Sequence, residues 1–244
     1  MSDHPFPTAV VTGASRGFGY AITAALAASG TRVVAIARDV RAMRDELGEA
    51  VFPVAADATD ETLAQDVIRK HRPSLLVLNA GATPHMAPVH EQTWDTFSRN
   101  WHVDTRHVFA WTRTALREPL APGSVVVSMS SGAALGGSPL SGGYASAKAA
   151  VRYLRGYAAD ESERSGLGIR FVTLLPNMTL AGGIGSVAAE HYAASQGMDL
   201  DTFIKGRGPA LTAEQVAKAV LDIAQNPDSA PEYRLGGEGP TPID

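Results

Sequence analysis

Apolar runs at Ala9–Val11, Arg32–Ala37, Val51–Ala55, Ser74–Leu78, Ser124–Met129 and Ile169–Leu175, with a later one at Glu232–Leu235, show no clean polar–apolar alternation. Strands of that kind are covered on both faces, which is the condition of a parallel sheet. The helices that would cover it lie between the runs, as helical patterns at Gly17–Ala28, Val40–Leu47, Glu61–His71, Trp94–Arg117, Tyr144–Arg164 and Thr212–Gln225. Strand and helix in strict turn predict an α/β fold, a doubly wound parallel sheet with helices on both faces and its ligand crevice at the carboxyl ends of the strands. At 244 residues, with neither repeat nor domain-length linker, the chain reads as one domain.

The first unit is the most specific. Thr8 to Thr12 reads as a buried strand, and Gly13-Ala14-Ser15-Arg16-Gly17-Phe18-Gly19 leads from it into a helix. Glycines let a chain turn with positive φ and bring backbone amides close to a phosphate, while the helix N-terminus adds partial positive charge. The spacing is Gly-x-x-x-Gly-x-Gly rather than the common Gly-x-Gly-x-x-Gly. A tight turn alone would also select glycine, but the order of strand, loop, helix, Gly30 stop and second strand favours phosphate binding.

Gly142-Gly143-Tyr144-Ala145-Ser146-Ala147-Lys148 sets a phenol and an ammonium four residues apart, on one helical face. A phenol keeps its proton to a pH of about 10, so proton transfer near neutrality needs a cation that favours its anion. Lys148 offers one, although Tyr-x-x-x-Lys is also an ordinary surface pair.

Taken together, Thr12-Gly13-x-x-x-Gly17-x-Gly19, Asn79-Ala80-Gly81 after the fourth run, Ser131 thirteen residues before Tyr144, and Lys148 resemble the short-chain dehydrogenase/reductase family over nearly the whole chain. The resemblance implies a single Rossmann-like domain that transfers hydride between a nicotinamide cofactor and a ketone or secondary alcohol. It implies that Tyr144 is the general acid or base, that Ser131 orients the substrate oxygen, and that Lys148 holds the nicotinamide ribose and keeps Tyr144 acidic. Ser130, next to Ser131, would be structural. Gly13, Ser15, Arg16, Gly17, Phe18 and Gly19 would cradle the pyrophosphate, and Asp57 with Ala58 would meet the adenine. Asn79, Ala80 and Gly81 would line the ribose, and Pro176, Asn177 and Thr179 the carboxamide. Each has a plainer reading beside it: Asp57 as a turn carboxylate, with Thr59 or Asp60 capping the next helix, and Asn79-Ala80-Gly81 as a turn.

Cofactor choice turns on the end of the second strand. Where the family's acidic residue would sit the chain has Ala37, followed by Arg38, and Arg16 offers a second guanidinium. Two arginines suit a ribose phosphate, so NADP(H) is preferred over NAD(H). The other reading leaves Arg38 solvated and turns Asp39 inward to select NAD.

Two positions depart from the family pattern. Asp104 stands where an asparagine usually holds a water between the lysine and solvent; it could hold that water, or pair with Lys148 and weaken its influence on Tyr144. Asn100 sits one helical turn too early for the role. Pro176-Asn177 replaces the usual Pro-Gly. These departures keep a cofactor-binding, non-catalytic member open as the alternative. An arginine would be needed at Lys148 for dehalogenation on the same fold. Residues 177–209, rich in Gly, Ala and Ser with weak periodicity, read as a surface excursion or as a cover over substrate. That cover and the loop 82–90 would line the substrate pocket, with Lys205 and Arg207 either attracting an acid or merely solvated.

A net charge of −4 gives no case for nucleic acid or anionic membrane as a partner, and with no cysteine there is no disulfide or thiolate chemistry. The histidines are scattered, and His102 and His107 do not share a helical face, so no metal is expected. Neither a signal peptide nor a membrane-length apolar run is visible, which makes the cytoplasm the expected location. The helix carrying Trp101, Val103, Val108, Phe109 and Trp111 is aromatic enough for either core packing or a subunit interface, and the family resemblance implies a homodimer or homotetramer.

Overall fold

The computed structural model describes residues 6–41, 43–179, 184–206 and 208–243. Arg207 lies outside them, as does part of the proposed cover at 180–183. An eight-stranded sheet is built from β1 (Thr8–Thr12), β2 (Arg32–Ala37), β3 (Val51–Ala55), β4 (Leu75–Leu78), β5 (Val125–Met129), β6 (Arg170–Pro176), β7 (Glu232–Gly236) and β8 (Gly239–Pro242). Its order is β3-β2-β1-β4-β5-β6-β7-β8, and every pairing is parallel except the last. The chain reverses direction across the sheet between β1 and β4, which opens a crevice above their carboxyl ends.

The helices are α1 (Gly17–Ala28), α2 (Met43–Leu47), α3 (Glu61–His71), α4 (Trp94–Asn100), α5 (Arg106–Arg117), α6 (Ala133–Gly136), α7 (Gly142–Arg164), α8 (Ile184–Ser195), α9 (Leu200–Lys205) and α10 (Ala213–Gln225). Successive strand residues point to opposite faces, and each face has its own core. Val11, Val33, Val77 and Val127 pack with Ile22 and Leu26 of α1 and Val216 and Val220 of α10. Val10, Val34, Leu76 and Val126 pack with Val67 of α3, Trp111 of α5 and Val151 of α7. Both faces being apolar is why the strands carry no alternation.

Several boundaries differ from the sequence reading. The pattern at Val40–Leu47 becomes helical only at Met43, because the Asp39 carboxylate accepts from Arg41 N at 3.2 Å and holds a local turn first. The run Trp94–Arg117 is helical throughout, as expected, but carries a π turn at Trp101–Thr105 between α4 and α5. Residues 177–209 contain α8 and α9, joined by a small cluster of Ala189, Ala193 and Phe203.

Candidate active site

The carboxyl ends of β1 and β4 are laced together. Thr12 Oγ1 donates to the Val77 carbonyl oxygen at 3.3 Å and accepts from Asn79 N at 2.9 Å and Ala80 N at 3.2 Å. Asn79 Nδ2 donates back to the Thr12 and Gly13 carbonyl oxygens at 3.1 and 3.2 Å. Gly13 has φ +66°, and a Cβ there would stand 2.8 Å from Ala80 Cα, so the turn can lie on the Asn79–Gly81 segment only as glycine. The turn then enters α1 with exposed Ser15, Arg16 and Gly17 and half-buried Phe18, and Arg16 makes no side-chain cap to the first amides of the helix. Amides exposed at a helix N-terminus beside a glycine turn fit a pyrophosphate.

At the end of β2, Arg38 is exposed, and Asp39 faces Arg41 in an exposed ion pair of 2.6 Å that holds its carboxyl down at about 2. Asp57 accepts from Thr59 N at 2.9 Å and from Thr59 Oγ1 at 2.8 Å, and these bonds, Thr59 N foremost, lower its carboxyl below the usual range. Asp60 caps α3 through Thr62 N and Leu63 N. Buried Ala58 accepts from Trp111 Nε1 at 2.9 Å.

Lys148 is the centre of the catalytic candidates. Its side chain is 7 % exposed, its Nζ donates to the Met129 carbonyl oxygen at 3.0 Å, and it forms a 3.1 Å ion pair with Asp104, which is 1 % exposed. Burial pulls the ammonium down, but Asp104 and then Tyr144 outweigh it and raise the lysine above its ordinary range. The ammonium lies 5.7 Å from the centre of the half-buried Tyr144 ring. Ser130, buried at the end of β5, donates to the Lys148 carbonyl oxygen at 2.8 Å, a structural role that leaves half-buried Ser131 next in the chain. Ser131 Oγ accepts from Ala133 N at 3.2 Å, which leaves its hydroxyl proton for another acceptor. Asp104 thus meets Lys148 directly, the second of the two arrangements open to it.

Around the rim, Pro176 accepts from Gly132 N at 2.9 Å, and Asn177 N donates to the Leu235 carbonyl oxygen at 2.8 Å. Asn177 is exposed, beside half-buried Thr179.

Three residues here were not picked out by the sequence. Asn100, fully buried, bonds to Asp104; the spacing of four on one helix was the available signal. His107, fully buried in α5, lies near Ala80, Asp57 and Lys148, and burial, then Lys148, hold its imidazole down to about 3. Tyr192 of α8 shares a 2.5 Å hydrogen bond with Ser138 Oγ and accepts from Leu140 N at 3.2 Å, which ties α8 to the loop before Tyr144.

A family model for short chain dehydrogenases matches residues 7–191. The chain belongs to the short-chain dehydrogenase/reductase family. An uncharacterized short-chain type dehydrogenase/reductase of Sinorhizobium fredii is 30% identical over 240 residues, covering 95% of this chain and 92% of that protein. The cis-4-hydroxycyclohexanecarboxylate dehydrogenase of Sinomonas cyclohexanicum is 31% identical, with 89% of each chain covered. In fold, the enzyme superposes on an alcohol dehydrogenase from Thermococcus sibiricus, solved with 5-hydroxy-NADP, with a TM-score of 0.73 at 24% identity over 97% of this chain and 99% of that one. The enzyme is an NAD(P)-dependent oxidoreductase of this family. Among the described residues no helix is long and apolar enough to cross a membrane.

Proposed function

We propose that the enzyme interconverts a ketone and a secondary alcohol with NADP(H), using Tyr144 as general acid and base. The observation that carries this reading is the buried Lys148 ammonium, fixed by Asp104 and the Met129 carbonyl within 5.7 Å of the Tyr144 ring. When bound, the nicotinamide supplies or accepts the hydride. In reduction Tyr144 gives its proton to the substrate oxygen, Ser131 donates a hydrogen bond to the same oxygen, and Lys148 stabilises the phenolate left behind. In oxidation Tyr144 takes the proton back. Positioned proton transfer of this kind is worth about 10²–10⁴-fold in rate.

The preference for NADP(H) rests on the second strand's end. Asp39 is engaged by Arg41, while Arg38 and Arg16 are exposed and carry charge toward a 2′-phosphate. Gly13, Ser15, Arg16, Gly17, Phe18 and Gly19 would hold the pyrophosphate. Asp57 and Ala58 would take the adenine, Asn79, Ala80 and Gly81 the ribose, and Pro176, Asn177 and Thr179 the carboxamide. The segment from 177 to 209 is the substrate cover, secured through Tyr192.

A second copy of the chain completes the particle, packed on the exposed Trp101, Phe109, Tyr153 and Tyr157 of the π turn, α5 and α7.

The cofactor reading is tested by Arg38→Leu. Steady-state kinetics with both cofactors should show KM for NADPH rising about 10–100-fold, the loss of charged hydrogen bonds, with NADH little affected. Equal effects on the two cofactors, or a wild type that prefers NADH, would overturn it.

A further inference from the structure

Below the reacting groups, the first residue of the substrate loop is held at both of its backbone polar groups. Ala82 N donates to Asp104 Oδ1 at 2.8 Å, and the Ala82 carbonyl oxygen accepts from Asn100 Nδ2 at 2.8 Å. The same Asn100 amide also approaches Asp104 Oδ1, at 3.3 Å. Asn100 and Asp104 are both 0 % exposed; Asn100 directly precedes the π turn at Trp101–Thr105 and Asp104 lies within it. Gly81 lies flat against Asp104, since a Cβ there would meet Asp104 Oδ2 at 2.9 Å.

The chemistry of the two side chains explains why both are present. An ionised carboxylate only accepts, so Asp104 can take the Ala82 amide but can offer nothing to the Ala82 carbonyl. Its other oxygen is committed to Lys148. The missing donor comes from Asn100. The oxygen of that same amide, Asn100 Oδ1, is buried with no hydrogen-bond partner, an unfavourable arrangement. What holds an asparagine at this place is therefore its N–H group. An amide at position 104 carries no charge to hold Lys148, and by turning from the ammonium it could offer both its acceptor and its donor to Ala82.

We propose that Asn100 is a positioning residue of the hydride-transfer site, forming with Asp104 a split clamp that fixes Ala82 and, through Asp104, the Lys148 ammonium. The proposal rests on the catalytic reading above. It ties the entrance of the loop 82–90 to the charge beside Tyr144, so a shift in one displaces the other.

The test is a double-mutant cycle in the full-length enzyme, with Asn100→Leu, Asp104→Asn and the two combined. Should Asn100→Leu fail to fold, Asn100→Ala, which removes the same N–H donor without adding a charge, replaces it. Removing the donor beside native Asp104 should lower kcat about tenfold, with KM for NADPH within about twofold. In the Asp104→Asn background the same removal should cost less than about threefold, because the new amide supplies its own donor. A residue that only filled space would cost the same factor in both backgrounds, and that result, or no loss at all beside Asp104, overturns the clamp. Hydrogen exchange of the peptide containing Ala82 reads the clamp without turnover. It should speed up on removal of the donor beside Asp104 and stay protected beside Asn at 104. An enzyme that turns over no carbonyl compound yet shows this exchange pattern would sink the catalytic reading while leaving the clamp standing.

Discussion

At the scale of single residues, the site is built from charges that the fold has taken out of water. Pairing Lys148 with Asp104 adds little net stability, because the hydration both groups lose offsets their attraction; what the pair provides is a fixed place for one positive charge beside Tyr144. His107 is the neutral counterpart. It is fully buried beside Trp111, with ring centroids 6.4 Å apart, and its folded pKa of about 3 lies below the ordinary 6.5. The unfolded chain therefore binds a proton that the folded chain refuses, so the stability this residue contributes is complete above about pH 6.5 and is lost as pH falls toward 3. Between pH 7 and pH 5 the loss should be about 2 kcal/mol. Denaturant titrations of His107→Leu should flatten that slope by about the same amount, whatever the variant does to stability at pH 7; an unchanged slope contradicts the assignment. His71, half-buried and lowered mainly by burial, adds a smaller share in the same window, and the depressed carboxylates of Asp39 and Asp57 act only at lower pH.

At the scale of elements, what the sequence made legible and what it hid have the same cause. The buried strands carried no alternation, so parallel packing could be read from them, and β2 and β3 came out at the expected residues. The glycine turn was readable because Gly13 answers a steric demand that no other residue meets. The π turn at Trp101–Thr105 left no mark, since neither Pro nor Gly stands in it. Asn100, one helical turn before Asp104, works with it on Ala82. The last strand was hidden by composition. Pro240 and Pro242 argue against a strand, but β8 is the antiparallel edge, where a missing N–H can face outward. Within 177–209, α8 buries Ala189 and Ala193 against Phe203, and small residues packing on one aromatic leave no apolar stripe to recognise.

At the scale of the whole molecule, one sheet serves two purposes: its carboxyl edge gathers the candidate site residues, and the helices on one face leave aromatic rings outside. Trp101 and Phe109 are 40% and 45% exposed, Tyr153 and Tyr157 63% and 66%, a density that a lone particle in water rarely keeps. Light scattering should find the wild type as a dimer or tetramer and Phe109→Asp shifted toward monomer; a monomeric wild type at micromolar concentration contradicts the interface. The central claim, that Tyr144 moves the proton while the cofactor moves the hydride, meets its most direct test in parallel measurements on wild type and Tyr144→Phe. NADPH binding is followed by fluorescence, and NADPH consumption by absorbance over a panel of ketones. The account predicts that the variant binds NADPH as wild type does and loses about 10²–10⁴-fold in kcat on every ketone the wild type reduces. A Phe variant that reduces the same ketones at the wild-type rate would contradict it.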